Sequence, residues 1–261
     1  MEKDLAILVL SCDKYESLWS SFFKYFEKYW PNCKFPIFLL TNKKRFKKSN
    51  VKNINIYPDL DWSKNLIISL KELRKLKFKN VLLIMEDCFL EEKVNQTKFR
   101  NLYKTFCDSE MDYLNLKANP RSNLTYHNNE YSLIPKGAIY RTAIVPNLWK
   151  ISTLEELLVV GENAWEFETQ GSRRSDKFKN FYTLKYPILK VLHIMIKGKI
   201  DRRVVSKLST FDLKEIKIPI MNHKEMIYLY FRSFISLVFK IFIPFQYRRY
   251  LRESCKKYLK I

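Results

Sequence analysis

The sequence predicts an α/β protein built on a doubly wound sheet whose strands run mainly parallel and are flanked by helices. Short, uninterrupted apolar runs recur at residues 5–10, 36–40 and 81–85. Runs of that length bounded by polar residues mark strands covered on both faces. Between them lie stretches whose apolar residues repeat at helical spacing. The order strand, helix, strand, loop, strand, helix, strand is therefore complete by residue 85, and alternation of this kind builds a parallel sheet with helices on its faces.

Leu5 to Leu10 form the first expected strand, which ends at Ser11-Cys12-Asp13. From Tyr15 to Tyr29 the residues Leu18, Phe22, Tyr25 and Phe26 fall at helical intervals, and Pro31 stops that helix. Residues 36–40 make the second strand, closing at Thr41-Asn42. A basic loop follows, then a short third strand over residues 51–57 and the segment Pro58-Asp59-Leu60-Asp61-Trp62-Ser63. Residues 66–76 return to helical register before the fourth strand, which runs into Glu86-Asp87-Cys88. Residues 111–116 and 138–141 are expected as further strands. Residues 152–159 are expected as a helix with Ser152 as its N-cap. Gly161 and Gly171, two of only four glycines, flank Asn163-Ala164-Trp165-Glu166-Phe167-Glu168.

A chain of 261 residues suffices for one large domain, or for a domain with an appendage. The character changes near Asn222, so the expected division is a core of residues 1–221 and a basic, aromatic helical tail of residues 222–261. An apolar share of 47% and an aromatic share of 15% exclude a disordered chain. A net charge of +21 points to an anionic partner or neighbouring surface. Zinc-finger spacing, an RNP-like aromatic motif and basic-region heptads are all missing, so no nucleic-acid partner is expected. Cys12, Cys33, Cys88, Cys107 and Cys255 form no CxxC pair, which argues against a disulfide framework and a structural zinc site. His127, His193 and His223 lack HExxH or HxH spacing, so a histidine metal site is not expected. GxSxG, GxGxxG and GxxxxGK[ST] are missing too, against serine hydrolysis, dinucleotide redox chemistry and P-loop hydrolysis. The apolar run at residues 5–10 is too short for a signal peptide or a bilayer span, so a cytoplasmic location is expected.

The pair Glu86-Asp87 stands where such a strand drops its first polar side chains, at the carboxyl edge where open α/β sheets bind ligands. Two adjacent acids there are costly unless a cation compensates them. A divalent metal carrying a phosphorylated ligand would do so, and an acidic turn capping the strand is the plainer alternative. Cys88 reads as a small buried residue.

Three elements together, the acids after the fourth strand, the turn Ser11-Cys12-Asp13-Lys14-Tyr15 and the late segment WEFETQGSRRS, resemble GT-A-type bacterial glycosyltransferases. More narrowly, they resemble the enzymes of surface-polysaccharide biosynthesis that modify capsule, lipopolysaccharide or cell-wall glycans. The resemblance covers residues 5 to 175. It implies a GT-A-like, Rossmann-like fold and transfer of a sugar from a nucleotide-sugar donor to a glycan, a lipid-linked one being the favoured acceptor and inversion the favoured outcome. In that family the acids after the fourth strand hold Mn2+ or Mg2+ on the donor diphosphate. Here Glu86-Asp87-Cys88 lacks the second aspartate of Asp-x-Asp. Asp87 is then the expected metal ligand, with Glu86 helping it or bonding the donor sugar. One carboxylate with phosphate oxygens and waters is enough for either ion.

Loops meeting the same edge would hold the nucleotide: Ser11, Asp13 and Tyr15 after the first strand, Thr41 after the second, Asp59, Trp62 and Ser63 after the third. Helix capping is the alternative for Asp13 and plain packing for Trp62. Inverting transfer needs one base to deprotonate the acceptor hydroxyl. In the resembling enzymes an acid of the late Trp-containing loop serves. Glu168 is the first candidate and Glu166 the second, because alternation would turn both to one side and Phe167 to the other. An acidic helix start is the alternative. Trp165 would stack on a sugar face, and Arg173, with Arg174 beside it, would neutralise the diphosphate. Residues 226–247 are aromatic and apolar but interrupted by Arg232 and Lys240 and followed by Arg248, Arg249 and Arg252. That composition suits an anionic membrane surface, on the inner face of the cell membrane, better than a bilayer span. A helix pair packed on the core is the alternative. Two other functions fit the same residues: nucleotidyl or phosphoryl transfer on a similar sheet, and non-enzymatic binding at a membrane surface.

Overall fold

A computed structural model describes residues 2–118, 130–144, 146–244 and 247–251; His127, Arg252 and Cys255 lie outside the described residues. The first half alternates as expected: β1 (Leu5–Leu10), α1 (Glu16–Tyr29), β2 (Ile37–Thr41), β3 (Val51–Asn55), α2 (Trp62–Lys75) and β4 (Asn80–Met85). Next come β5 (Cys88–Leu90), α3 (Gln96–Asp108), β6 (Tyr113–Asn115), β7 (Tyr131–Leu133), β8 (Asn147–Lys150) and α4 (Ile151–Leu157). A helical segment follows, made of α5 (Ala164–Glu166), a π turn (Phe167–Gly171) and α6 (Ser172–Arg174). The last elements are β9 (Phe181–Leu184), β10 (Val191–His193), the hairpin β11 (Met195–Ile196) and β12 (Lys199–Ile200), α7 (Thr210–Glu215) and α8 (His223–Phe242).

Eight strands form one sheet in the order β3-β2-β1-β4-β8-β6-β9-β7. The pairings run β1, β2, β3, β4, β6 and β9 in one direction, with β7 and β8 reversed. The result is the expected mixed, mainly parallel, Rossmann-like α/β fold, closed by a helical C-terminal segment.

Period-two alternation along β1 explains why helices cover both faces. Leu5, Ile7 and Val9 join a core with Leu18, Phe22 and Phe26 of α1 and Phe99 and Phe106 of α3. Ala6, Leu8 and Leu10 join Leu66, Leu70 and Leu73 of α2 and Leu154 and Leu157 of α4 on the other side. Every residue of β1, β2 and β4 except Met85 is buried.

Two expectations fail in the second half. Residues 138–141 form no strand. Arg141 is 1% exposed and donates to the carbonyls of Ile134, Ser175 and Phe178, so this stretch wraps a buried cation instead of extending the sheet. The helix expected from Ser152 starts at Ile151 with Lys150 as cap residue and ends at Leu157, and no side chain caps it. β8 runs straight into it, with Ile151 N bonding Lys79 O.

Candidate active site at the carboxyl edge of the sheet

β1 lies between β2 and β4, so the chain leaves β1 toward one side of the sheet and returns to the other. Such a switch opens a crevice at the carboxyl ends of the two central strands. Ser11 follows β1 there and Glu86-Asp87 follows β4, with Glu86 N donating to Leu10 O at 3.4 Å. Both acids are buried, Glu86 3% and Asp87 8% exposed. Burial and the neighbouring Asp87 hold the Glu86 carboxyl well above the usual carboxylate range, against a hydrogen bond from Ser11. Burial likewise pushes Asp87 up to about 6, opposed by bonding from Cys88 and by the charge of Lys117. Ser11 is positioned by Trp19 of α1, whose Nε1 donates to its Oγ at 2.7 Å. The Tyr15 hydroxyl is raised by burial and by Cys12, Glu86 and Asp87, so the turn after β1 faces the acids.

β5 and β10 pair antiparallel with Cys88 directly opposite His193. The Cys88 Sγ lies 3.3 Å from His193 Nδ1 and 3.5 Å from Asp87 Oδ1. One donor atom from each of Asp87, Cys88 and His193 falls within 4.8 Å of the others. Burial and the charge of Lys117 depress the imidazole to about 4, so it is neutral and able to ligate. Its Nε2 is buried without a hydrogen-bond partner. A carboxylate and a neutral imidazole this close, with an orphaned ring nitrogen, fit a divalent cation, while burial holds the Cys88 thiol between them in its protonated form. Spacing along the chain does not suggest a histidine site, but strand pairing brings in His193 from 105 positions away and makes it a candidate ligand. Cys88 is buried as expected, but it touches both potential ligands.

Lys117, which the sequence reading missed, lies two residues beyond β6 at the same edge, its backbone N donating to Asn115 Oδ1 at 2.8 Å. Burial lowers its ammonium, while Cys88, Asp87 and Glu168 raise it. Asp87 and Glu168 thus act on one cation, whose side chain is exposed at the rim of this edge. Glu168 sits in the π turn, where its Oε1 accepts from Ile144 N at 2.8 Å. The alternation expected for Glu166 and Glu168 is wrong. Asn163 caps a helix start, its Oδ1 accepting from Trp165 N and Glu166 N, and on a helix two positions apart means about 200°. Glu166 closes that capping box through Asn163 N at 2.8 Å, as the acidic-helix-start alternative has it.

Other expected residues divide. Asp13 does not cap α1. Its carboxylate accepts from the backbone N–H groups of Asn42, Lys43 and Lys44, which outweigh burial and keep its pKa low. Asn42 donates to Asp59 Oδ1 at 2.7 Å, and Asn65 of α2 donates to the same oxygen at 2.8 Å. This network locks the loops after β1, β2 and β3 together. Thr41 is fully buried and its hydroxyl accepts from Asn55 at 2.7 Å, so it belongs to the sheet interior. Trp62 and Ser63 are not loop residues either. Asp61 caps α2, Ser63 is fully buried between Asp61 and Gly161 N, and Trp62 packs on Phe167 at 5.6 Å. Gly161 reaches Ser63 with φ +93, a conformation costly for residues with a side chain. Trp165 is 70% exposed and Arg173 is exposed on α6. Arg174 is engaged elsewhere, with Glu162 and Leu157 O.

A cavity of about 480 Å³ is lined by Asp4, Arg74, Phe106, Cys107 and Lys150, and these residues mark the amino edge of the strands. Another, of about 530 Å³, lies between α3 and β9 near Tyr131 and Tyr186. Neither contains the acids, so the titratable cluster, not cavity size, marks the site.

No protein-family model matches the chain, and no curated protein matches its sequence. Among solved structures it is similar to the crystal structure of S. aureus TarS, with a TM-score of 0.45 and 11% identity over 69% of this chain and 36% of that one. The TarS 1-349 fragment matches at a TM-score of 0.44, and the same fragment in complex with UDP at 0.42. Both are 11% identical over 69% of this chain, covering 60% and 59% of theirs. The chain therefore spans less than two thirds of those structures.

Proposed function

We propose that the chain is a nucleotide-sugar-dependent glycosyltransferase acting on a glycan acceptor, with inversion at the transferred carbon. The observation that carries this reading is the buried Glu86-Asp87 pair at the switch point, with His193, Lys117 and Glu168 gathered around it. Asp87, with His193 beside it, would hold Mn2+ together with phosphate oxygens of the donor, while burial keeps the Cys88 thiol protonated; when bound, that ion supplies positive charge to the donor diphosphate. Glu86, high in pKa and buried, would keep its proton and donate a hydrogen bond through it to a sugar hydroxyl. Lys117 would add charge stabilisation to the departing nucleoside diphosphate. Tyr15 and Ser11 would line the nucleotide, with Asp13 and Asp59 shaping the loops beneath it.

Glu168 takes the proton of the acceptor hydroxyl. The acceptor oxygen then bonds the anomeric carbon from one face. The bond from that carbon to the diphosphate oxygen breaks on the other face, and its electron pair leaves with the nucleoside diphosphate. Arg173, exposed beyond Glu168, would meet acceptor or product.

The test is a donor-hydrolysis and transfer screen over common sugar nucleotides, joined to calorimetry with UDP and GDP with and without Mn2+. Metal-dependent binding of one nucleotide, with turnover of its sugar, is expected. Silence across the panel refutes the proposal. Nucleotidyl transfer is separated by Glu168→Gln, which should abolish sugar transfer and spare nucleotide binding.

A further inference from the structure

Among the described residues, α8 carries more of the large exposed apolar side chains than any other element. Beyond Met226, which is 6% exposed, its large apolar residues face solvent: Ile227 68%, Phe231 61%, Phe234 62%, Ile241 66% and Phe242 74%. At about 100° per residue, Ile227, Phe231, Phe234, Val238, Ile241 and Phe242 share one broad arc, while Glu225, Arg232, Ser233 and Ser236 occupy the opposite side. No described helix is long and apolar enough to cross a membrane.

The helix is not a loose tail. At its start, Lys199 of β12 pairs with Glu225, Lys197 sits 5.3 Å from the Tyr228 ring centroid, and Arg203 sits 5.9 Å from that of Tyr230. Past its end, Arg249 pairs with Asp176 and donates to Ser172 O at 3.0 Å. Both anchors abut the candidate site. The hairpin residue Gly198 lies where an added Cβ would be 3.6 Å from the Tyr15 hydroxyl, and Ser172 Oγ donates to Glu168 O at 2.6 Å.

We propose that α8 docks the protein on an anionic lipid bilayer, lying in the interface with its aromatic arc among the acyl chains, and so holds the carboxyl edge of the sheet at the membrane surface. Charge selects this occupant. Residues 222–251 carry Lys224, Arg232, Lys240, Arg248 and Arg249 against a single acid, Glu225, in a chain of net charge +21. A second copy would bring the same positive charge to the contact, whereas acidic headgroups complement it. The arc is also wider than a two-helix seam requires, and its aromatic content suits the headgroup boundary. The proposal does not depend on sugar transfer.

The test is flotation of the full chain with phosphatidylcholine vesicles, with and without phosphatidylglycerol, at low and high salt. Binding is expected only to the acidic vesicles and is expected to weaken with salt. Phe231→Ser with Phe234→Ser should lower the partition about tenfold or more, Ser233→Ala with Ser236→Ala should not, and both variants should keep the wild-type unfolding temperature. Equal partition of the Phe variant and wild type overturns the proposal, as does equal binding to neutral and acidic vesicles. Absence of vesicle binding, together with a concentration-dependent dimer that the Phe substitutions dissociate, would assign the face to a second copy instead.

Discussion

Replacing Asp87 with Asn should stabilise the protein at neutral pH while removing its capacity for metal. The Asp87 carboxyl is raised from 3.8 to about 6 by burial. The folded state therefore holds a proton that the unfolded chain has already released between about pH 4 and 6. Unfolding stability falls as pH rises through that window and levels off above it. A shift of about two units corresponds to about 3 kcal/mol, and an uncharged amide of the same shape escapes that cost. For a chain of this size each kcal/mol moves the midpoint by about 2–4 °C, so the variant should melt about 6–12 °C above wild type at pH 8. At pH 4 both proteins carry little charge at this position, and the gap should shrink below about 1 kcal/mol. Differential scanning calorimetry of both proteins from pH 4 to 8 measures this directly. Adding Mn2+ at pH 7 should close the gap by stabilising wild type alone, by about 2.7 kcal/mol at a hundredfold excess over the dissociation constant. A variant no more stable than wild type at pH 8, or a gap that does not change with pH, would refute the account of a strained, dry carboxylate.

Lys117→Met should raise the His193 pKa from about 4, because a repelling cation is removed; the imidazole resonances followed by NMR report it. Glu168→Gln should cut sugar transfer by about 10²–10⁴-fold, with nucleotide affinity by calorimetry changed less than about twofold. Asn42→Ala breaks bonds to both Asp13 and Asp59. It should cost about 2–3 kcal/mol in urea unfolding and weaken nucleotide binding through the disconnected loops.

The candidate site was partly legible in the chain and partly not. Glu86 and Asp87 announced themselves because a buried strand that ends in acids puts them at the carboxyl edge of the sheet. Tyr15 followed from its place after β1. Thr41 and Ser63 misled, because a polar residue at a strand or helix end can turn inward to satisfy a neighbour, as Thr41 does for Asn55 and Ser63 for Gly161 N. Glu166 would face with Glu168 only on an extended backbone, whereas Asn163 followed three residues later by Glu166 is a helix-start signal. His193 and Lys117 left no local mark beyond their place just past short apolar runs.

What the sequence determined alone is whatever depends on neighbours along the chain. Periodicity of apolar side chains produced the strands and helices of the first half, and their alternation imposed a sheet covered on both faces. What the tertiary structure decided depends on register between distant segments. The pairing of β5 with β10 sets His193 against Cys88 and Asp87. The end of β6 places Lys117 where the charges of Asp87 and Glu168 both act on it. Hydrogen bonds between strands are blind to side-chain identity, so only the closed sheet fixes which titratable groups share one low-dielectric crevice.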